Sequence, residues 1–248
     1  MKTRINNTLK KEAIVCAFAN QKGGVGKTTL THLIAKTITD PAIGKKCMVI
    51  ELDKQKSLMD IKISIQERLE TKFSMPYDLR ILNDLTEVKG LLAKEYQNYD
   101  VIILDTPGTL DKSGLIATLT MSDIVFIPIS SSVLEVNSTI DFLEIMYKVK
   151  EYRAKTDLPF DYFTILNRVD SKTKFYKQLV EEIGENKINR FISTVPNREA
   201  YKNFHMENYS PVYSYEPKGK KDAAFELFIE EFLKAIEIMR EKITAQTV

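Results

Sequence analysis

The sequence of 248 residues predicts an α/β fold: a doubly wound, mostly parallel sheet with helices on both faces. Three observations carry this expectation. Short, wholly apolar runs, the composition of strands buried on both faces, alternate along the chain with segments of helical spacing. The first of these runs leads directly into a glycine-rich loop and then a helical pattern, the order of strand, phosphate-binding turn and helix. No linker, low-complexity stretch or internal repeat interrupts the chain, so residues 1–248 read as one domain with a short polar extension at 1–12.

The first strand is read at 13–19 (AIVCAFA), followed by the loop Lys22 to Thr29 (KGGVGKTT). Leu30, Leu33, Ile34, Thr37 and Ile38 then fall at helical spacing. Further strands are read at 47–52, 101–105, 124–129, 161–166 and roughly 190–194, with helices between them. Near the C-terminus Phe225, Phe228, Ile229, Phe232, Ile236 and Met239 form an apolar stripe that packs on the sheet, with glutamates crowding the rest of that helix. Ligands of such sheets sit beyond the carboxyl ends of the strands, which would bring Lys27, Asp53, Asp105 and Asn167 together.

The loop carries the chemistry. Its tail, Gly26-Lys27-Thr28, fits the phosphate-loop pattern G-x-x-x-x-G-K-[ST] fully, whereas Gln21 stands at the pattern's first glycine. Glycines at 23, 24 and 26 permit the backbone turns that aim several N–H groups, including those of Val25 and Thr29, at one anion. Lys27 then meets the outer phosphates of a nucleotide, the Thr28 hydroxyl suits a Mg²⁺ bridging them, and the positive end of the following helix faces the same charge.

With its additional Lys22, the loop resembles that of the deviant Walker-A ATPases of the ParA/MinD group. The resemblance implies an ATP-sandwich homodimer in which Lys22 reaches the partner's nucleotide. Cys47 to Asp53 with Lys54 and Gln55 (CMVIELDKQ) resembles the family's DxDPQ segment, which makes Asp53 the residue that orients the attacking water. Glu51 replaces the first aspartate there and Lys54 the proline. Tyr99 to Gly108 (YDVIILDTPG) is similar to the run ending in DTPP, so Asp105 would hold Mg²⁺ through water; Gly108 replaces the second proline and suggests a more flexible second switch. Leu115 to Ser130 continues the likeness, Asn167 falls where the family has an adenine contact, and Pro196 and Asn197 lie in a segment resembling IPRN. A stretch past Arg198 departs from the pattern before Ser210-Pro211-Val212 returns to it.

What the resemblance implies is a slow, Mg²⁺-dependent ATP hydrolase of ParA type that binds ATP or ADP. It would dimerise on ATP, bind nonspecific double-stranded DNA, answer to a ParB-like adaptor, and act in the cytoplasm on the nucleoid. The formal net charge of +2 is near neutral, so DNA binding needs a local patch, with Arg190, Arg198, Lys202, Lys218, Lys220 and Lys221 as candidates or else as a solvated face. The dozen residues before the first strand are too few for a helix-turn-helix module. Cys16 and Cys47 sit in strand runs without metal-ligand spacing and read as core, and His32 and His205 are isolated. A MinD-like membrane cycle is the main alternative, and the acidic C-terminal helix speaks against it because anionic lipid repels such a face. A weakly hydrolysing nucleotide-dependent scaffold is the other.

Overall fold

Strands and helices alternate along the chain in the computed structural model, which describes residues 13–53, 55–70, 74–108, 112–130, 133–202 and 222–246. Strand β1 (Ile14–Phe18) precedes α1 (Lys27–Ile38), β2 (Cys47–Glu51) precedes α2 (Ser57–Leu69), and β3 (Asp78–Ile81) precedes α3 (Leu85–Glu95). Next come β4 (Val101–Asp105), α4 (Lys112–Thr120), β5 (Ile124–Ile129), α5 (Val133–Lys155), β6 (Asp161–Val169) and α6 (Lys174–Glu185). The described chain closes with β7 (Arg190–Pro196), the one-turn α7 (Glu199–Lys202) and the long α8 (Ala223–Ala245).

The strands form one seven-stranded sheet in the order β3-β2-β4-β1-β5-β6-β7, every neighbouring pair parallel. The chain winds from β1 toward β3 on one side and from β5 toward β7 on the other. The reversal lies at β1, and a crevice opens outside the carboxyl ends of β1 and its neighbours.

Alternation along the strands sorts side chains into two cores. Ile14, Cys16 and Phe18 of β1, with Val49 and Ile103, pack against Leu30, Leu33 and Ile34 of α1 and Phe228, Phe232 and Ile236 of α8. Val15 and Ala17, with Met48, Ile50, Ile102 and Leu104, face Leu115 and Leu119 of α4 and Phe142 and Met146 of α5. A smaller cluster joins Leu166 and Val169 of β6 to Leu179 and Ile183 of α6. The expected stripe on α8 is buried throughout, and Cys16 and Cys47 are buried core residues whose thiol pKa values burial pushes up. His32 is likewise packed inside, its Nδ1 2.7 Å from the Tyr77 hydroxyl, while His205 lies outside the described residues.

Strand β3 is the element the sequence did not announce. It sits at the sheet edge, its four residues alternate between exposed and half-buried, and Asp78 and Arg80 occupy the exposed positions. Charge on an edge strand blocks further pairing and at the same time removes the apolar run by which inner strands are read. Strand β6 runs three residues beyond the expected 161–166, with register shifts against β7 between Thr164 and Leu166 and between Asn167 and Val169.

Candidate nucleotide and metal site

The loop after β1 is fixed before any ligand is considered. Asn20 donates from Nδ2 to the Pro128 carbonyl at 2.9 Å and accepts the Lys22 N–H on Oδ1 at 2.9 Å, tying the loop to the end of β5. Gly24 and Gly26 take φ of 77° and 91°, left-handed values that side chains disfavour, and Gly26 caps α1. Lys27, the first residue of that helix, is buried, and its Nζ donates to the carbonyls of Asn20 at 3.3 Å and Lys22 at 3.2 Å. Burial lowers its pKa, while the negative charge of Asp105 and Asp53 pulls the other way.

Over this loop opens a cleft of about 760 Å³. Gly23, Gly24, Gly26, Lys27, Thr28 and Thr29 form its floor, and it is lined further by Asp53, Gln55 and Ser57 after β2, by Pro107 and Gly108 after β4, and by Arg168 of β6. Leu82 to Leu85, which follow β3, complete it. That volume suits a nucleotide-sized ligand.

Asp105 ends β4 beneath the cleft, fully buried. Thr31 Oγ1 lies 3.4 Å from its Oδ1, and its Oδ2 has no hydrogen-bond partner. Burial pushes its pKa up to about 7; the nearby Thr28 hydroxyl and Lys27 work against that, and Glu51 and Asp53 add to it. A buried carboxylate with an orphaned oxygen, beside a threonine hydroxyl on the phosphate loop, is a donor set that fits a hydrated Mg²⁺. Among the described residues no group of three or more His, Cys, Asp or Glu is placed to hold a metal ion.

The raised pKa gives a signed prediction. An acid whose folded pKa exceeds its unfolded value of about 3.9 stabilises the fold fully below that value and loses the contribution as pH rises through about 7. Metal-free protein should therefore lose roughly 1 kcal/mol from this group between pH 6 and pH 8. In Asp105→Asn that part of the pH dependence should vanish, together with stabilisation by Mg²⁺-nucleotide. Urea melts at the two pH values check it, and an unchanged pH dependence in the variant would place the carboxyl elsewhere than in a dry site.

Two departures from the family pattern acquire physical reasons. Glu51 is fully buried, with Oε1 accepting the Leu58 N–H at 2.7 Å and Oε2 the Met59 N–H at 3.3 Å. Its carboxylate thus caps the first turn of α2 and fastens the segment that carries Asp53. Burial raises its pKa and the two amide bonds oppose the rise. Asp53 accepts the Gln55 N–H on Oδ1 at 2.9 Å and the Lys56 N–H on its carbonyl at 3.0 Å, closing a tight turn before the helix. Lys54 lies outside the described residues. At Gly108 a Cβ would fall 3.3 Å from Gly23 Cα and 3.4 Å from Lys27 Nζ, so the glycine permits close packing of the second switch on the phosphate loop.

The base-side residues are brought together but stand closed. Asn167, Pro196 and Asn197 line, with Thr29, a second cavity of about 10 Å³, too small for a purine. Asn167 is buried and donates from Nδ2 to the Val25 carbonyl at 2.8 Å, holding the loop from below.

The proposed DNA-contacting residues are scattered in what they do. Arg198 forms an ion pair with Asp222 at 3.1 Å, and Asp222 also caps α8 and accepts a hydrogen bond from the Tyr201 hydroxyl. Arg190 donates to the Phe191 carbonyl at 2.8 Å. Lys202 belongs to α7, and Lys218, Lys220 and Lys221 lie outside the described residues. Lys22 is half-buried at the start of the loop, with its carbonyl held by Lys27.

A sequence model of the CobQ/CobB/MinD/ParA nucleotide binding domain matches residues 16–211. The chain belongs to that family. The sporulation initiation inhibitor protein Soj of Bacillus subtilis is 25% identical over 244 residues, covering 83% of this chain and 92% of Soj. Maintenance of carboxysome distribution protein A of Halothiobacillus neapolitanus is 22% identical over 212 residues, covering 86% of this chain and 92% of that protein. A plasmid partition protein of Borrelia burgdorferi, solved with AMPPNP, superposes with a TM-score of 0.66 at 25% identity, covering 91% of this chain and all (100%) of that one. The cobyrinic acid a,c-diamide synthase of Mycobacterium smegmatis, solved with an ATP analog and magnesium, shares the fold at a TM-score of 0.60 and 20% identity, covering 78% and 93%. The ParA-type fold expected from the sequence is the one found.

Sequence motifs did not point to Asn20, to the Leu82–Leu85 wall or to Arg168. Asn20 is adjacent to the loop and Arg168 to Asn167, but nothing in either stretch of sequence signals the contacts they make.

Proposed function

We propose that the protein is a ParA-type ATPase, a Mg²⁺- and ATP-dependent switch that dimerises around ATP and moves a large cargo. The observation that carries this reading is Lys27 at the cleft floor with Asp53 and Asp105 close enough to bias its charge, on a loop that begins with a second lysine. The loop amides bind the phosphates, Lys27 neutralises their outer charge, and Asp53 orients the attacking water. Thr28 and Asp105 would hold Mg²⁺, which when bound supplies further charge stabilisation at the phosphates. Lys22 reaches the partner's nucleotide, so hydrolysis and dimer lifetime are coupled and turnover is slow until a ParB-like adaptor accelerates it.

Relatives named for plasmid partition and for carboxysome distribution support a large cargo, and nonspecific double-stranded DNA is the surface on which the dimer travels. Burial of the apolar stripe of α8 against the sheet favours this over a MinD-like membrane cycle, because that stripe is not displayed to lipid. Among the described residues no helix is long and apolar enough to cross a membrane. The test is fluorescence anisotropy on random-sequence duplex DNA with ADP and with a nonhydrolysable ATP analogue, repeated across salt. Binding only with the analogue, falling steeply with salt, is the expected result. Binding that ignores nucleotide or salt would defeat the DNA-surface reading.

A further inference from the structure

Arg168 lines the cleft without belonging to any of the motifs read from the sequence. Its φ is 57°, a left-handed conformation that L-residues adopt at a cost, and it falls at the second register shift between β6 and β7. Bulges of this kind re-aim a side chain. Here the guanidinium turns onto the phosphate loop, where Nη1 donates to the Gly24 carbonyl at 2.9 Å. A Cβ on Gly26 would lie 3.4 Å from its Nε and 3.5 Å from its Cζ, so the group rests directly against that glycine.

The neighbouring Asn167 holds the next carbonyl of the loop, that of Val25. In a trans peptide the C=O and N–H of one unit point in opposite directions. Holding the Gly24 carbonyl therefore orients the Val25 N–H, and holding the Val25 carbonyl orients the Gly26 N–H. Those amides are members of the anion-binding turn, and their direction is set before a ligand arrives.

We propose that Arg168 is a positioning residue for nucleotide: its bulge-aimed guanidinium locks the Gly24–Val25 peptide with its N–H toward the phosphates and adds positive charge at the cleft rim. This rests on the nucleotide reading given above. The left-handed backbone supplies an unusually clean test, because Arg168→Gly removes the side chain and at the same time relieves the backbone.

The full-length protein, Arg168→Gly and Arg168→Lys are compared by urea unfolding without nucleotide and by titration with fluorescent mant-ADP. Arg168→Gly should unfold at an equal or higher midpoint yet bind mant-ADP about tenfold more weakly, the scale of one lost charge-assisted hydrogen bond. Arg168→Lys, which keeps charge without the planar fork, should fall between. In turnover the loss should appear in KM rather than kcat, since the loop grips ground and transition states alike. Wild type that binds while Arg168→Gly binds equally well would overturn the role of Arg168 and leave the nucleotide site standing. A lowered unfolding midpoint in Arg168→Gly, with Arg168→Lys binding like wild type, would also overturn it by reducing the residue to a brace. Folded wild type that does not bind mant-ADP would overturn both readings.

Discussion

Lys27→Ala should weaken nucleotide binding by roughly 30-fold or more while leaving the protein folded. The ammonium is buried at the first turn of α1, where it already satisfies the carbonyls of Asn20 and Lys22. Burial lowers its pKa, so its charge is poorly solvated and is held partly by Asp105 and Asp53. A phosphate arriving at the loop meets a cation that water screens little, and such contacts are strong. Truncating one partner of a buried, hydrogen-bonded charge pair costs about 2–5 kcal/mol in binding, or roughly 30- to 5,000-fold in affinity. The variant also leaves two carboxylates facing the phosphates without their neutralising neighbour. Calorimetric titration with ADP and ATP in Mg²⁺ is the check, with circular dichroism confirming the fold. Affinity within a few-fold of wild type would mean that the lysine does not meet the phosphates.

Asp53→Ala should do the opposite to binding and as much to chemistry. Asp53 lines the cleft, in a turn fixed by its hydrogen bond to the Gln55 N–H and by Glu51 capping α2 behind it. Removing a carboxylate near the phosphates relieves repulsion, so ATP should bind at least as tightly. Removing the group proposed to position water should slow hydrolysis by about 10²–10⁴-fold, the usual range for a positioned acid or base. With the ATP state no longer consumed, the dimer should persist. Single-turnover hydrolysis and size-exclusion chromatography in ATP measure the two consequences. Wild-type turnover would remove Asp53 from the chemistry, and a monomer in ATP would break the link between hydrolysis and dissociation.

The parts of this molecule legible in its sequence are those whose physics is local. Six of the strands were read from the sequence, and four of them, β1, β2, β4 and β5, are short, largely apolar runs buried along their whole length, while the phosphate loop compresses its glycines, lysine and threonine into a few consecutive positions. Strand β3 was hidden because an edge strand needs no apolar run, and with it the Leu82–Leu85 wall of the cleft was missed. Glu51 looked like a weakened motif, yet the extra methylene lets its carboxylate cap a helix seven residues on. Gly108 suggested a looser switch, and what the sequence did not signal is that its missing Cβ permits close packing on Gly23. Arg168 was illegible for a different reason. Its contact spans 144 residues and depends on a backbone angle set by a register shift between two strands, which no local pattern encodes.

The central claim is that nucleotide state controls assembly through Lys22. Light scattering of the protein in ADP, then in a nonhydrolysable ATP analogue with Mg²⁺, tests it most directly when Lys22→Ala is measured alongside. The account predicts a monomer in ADP, a dimer in the analogue, and a variant that binds the analogue but stays monomeric. One mass in both nucleotides, or a variant that dimerises as well as wild type, would contradict it.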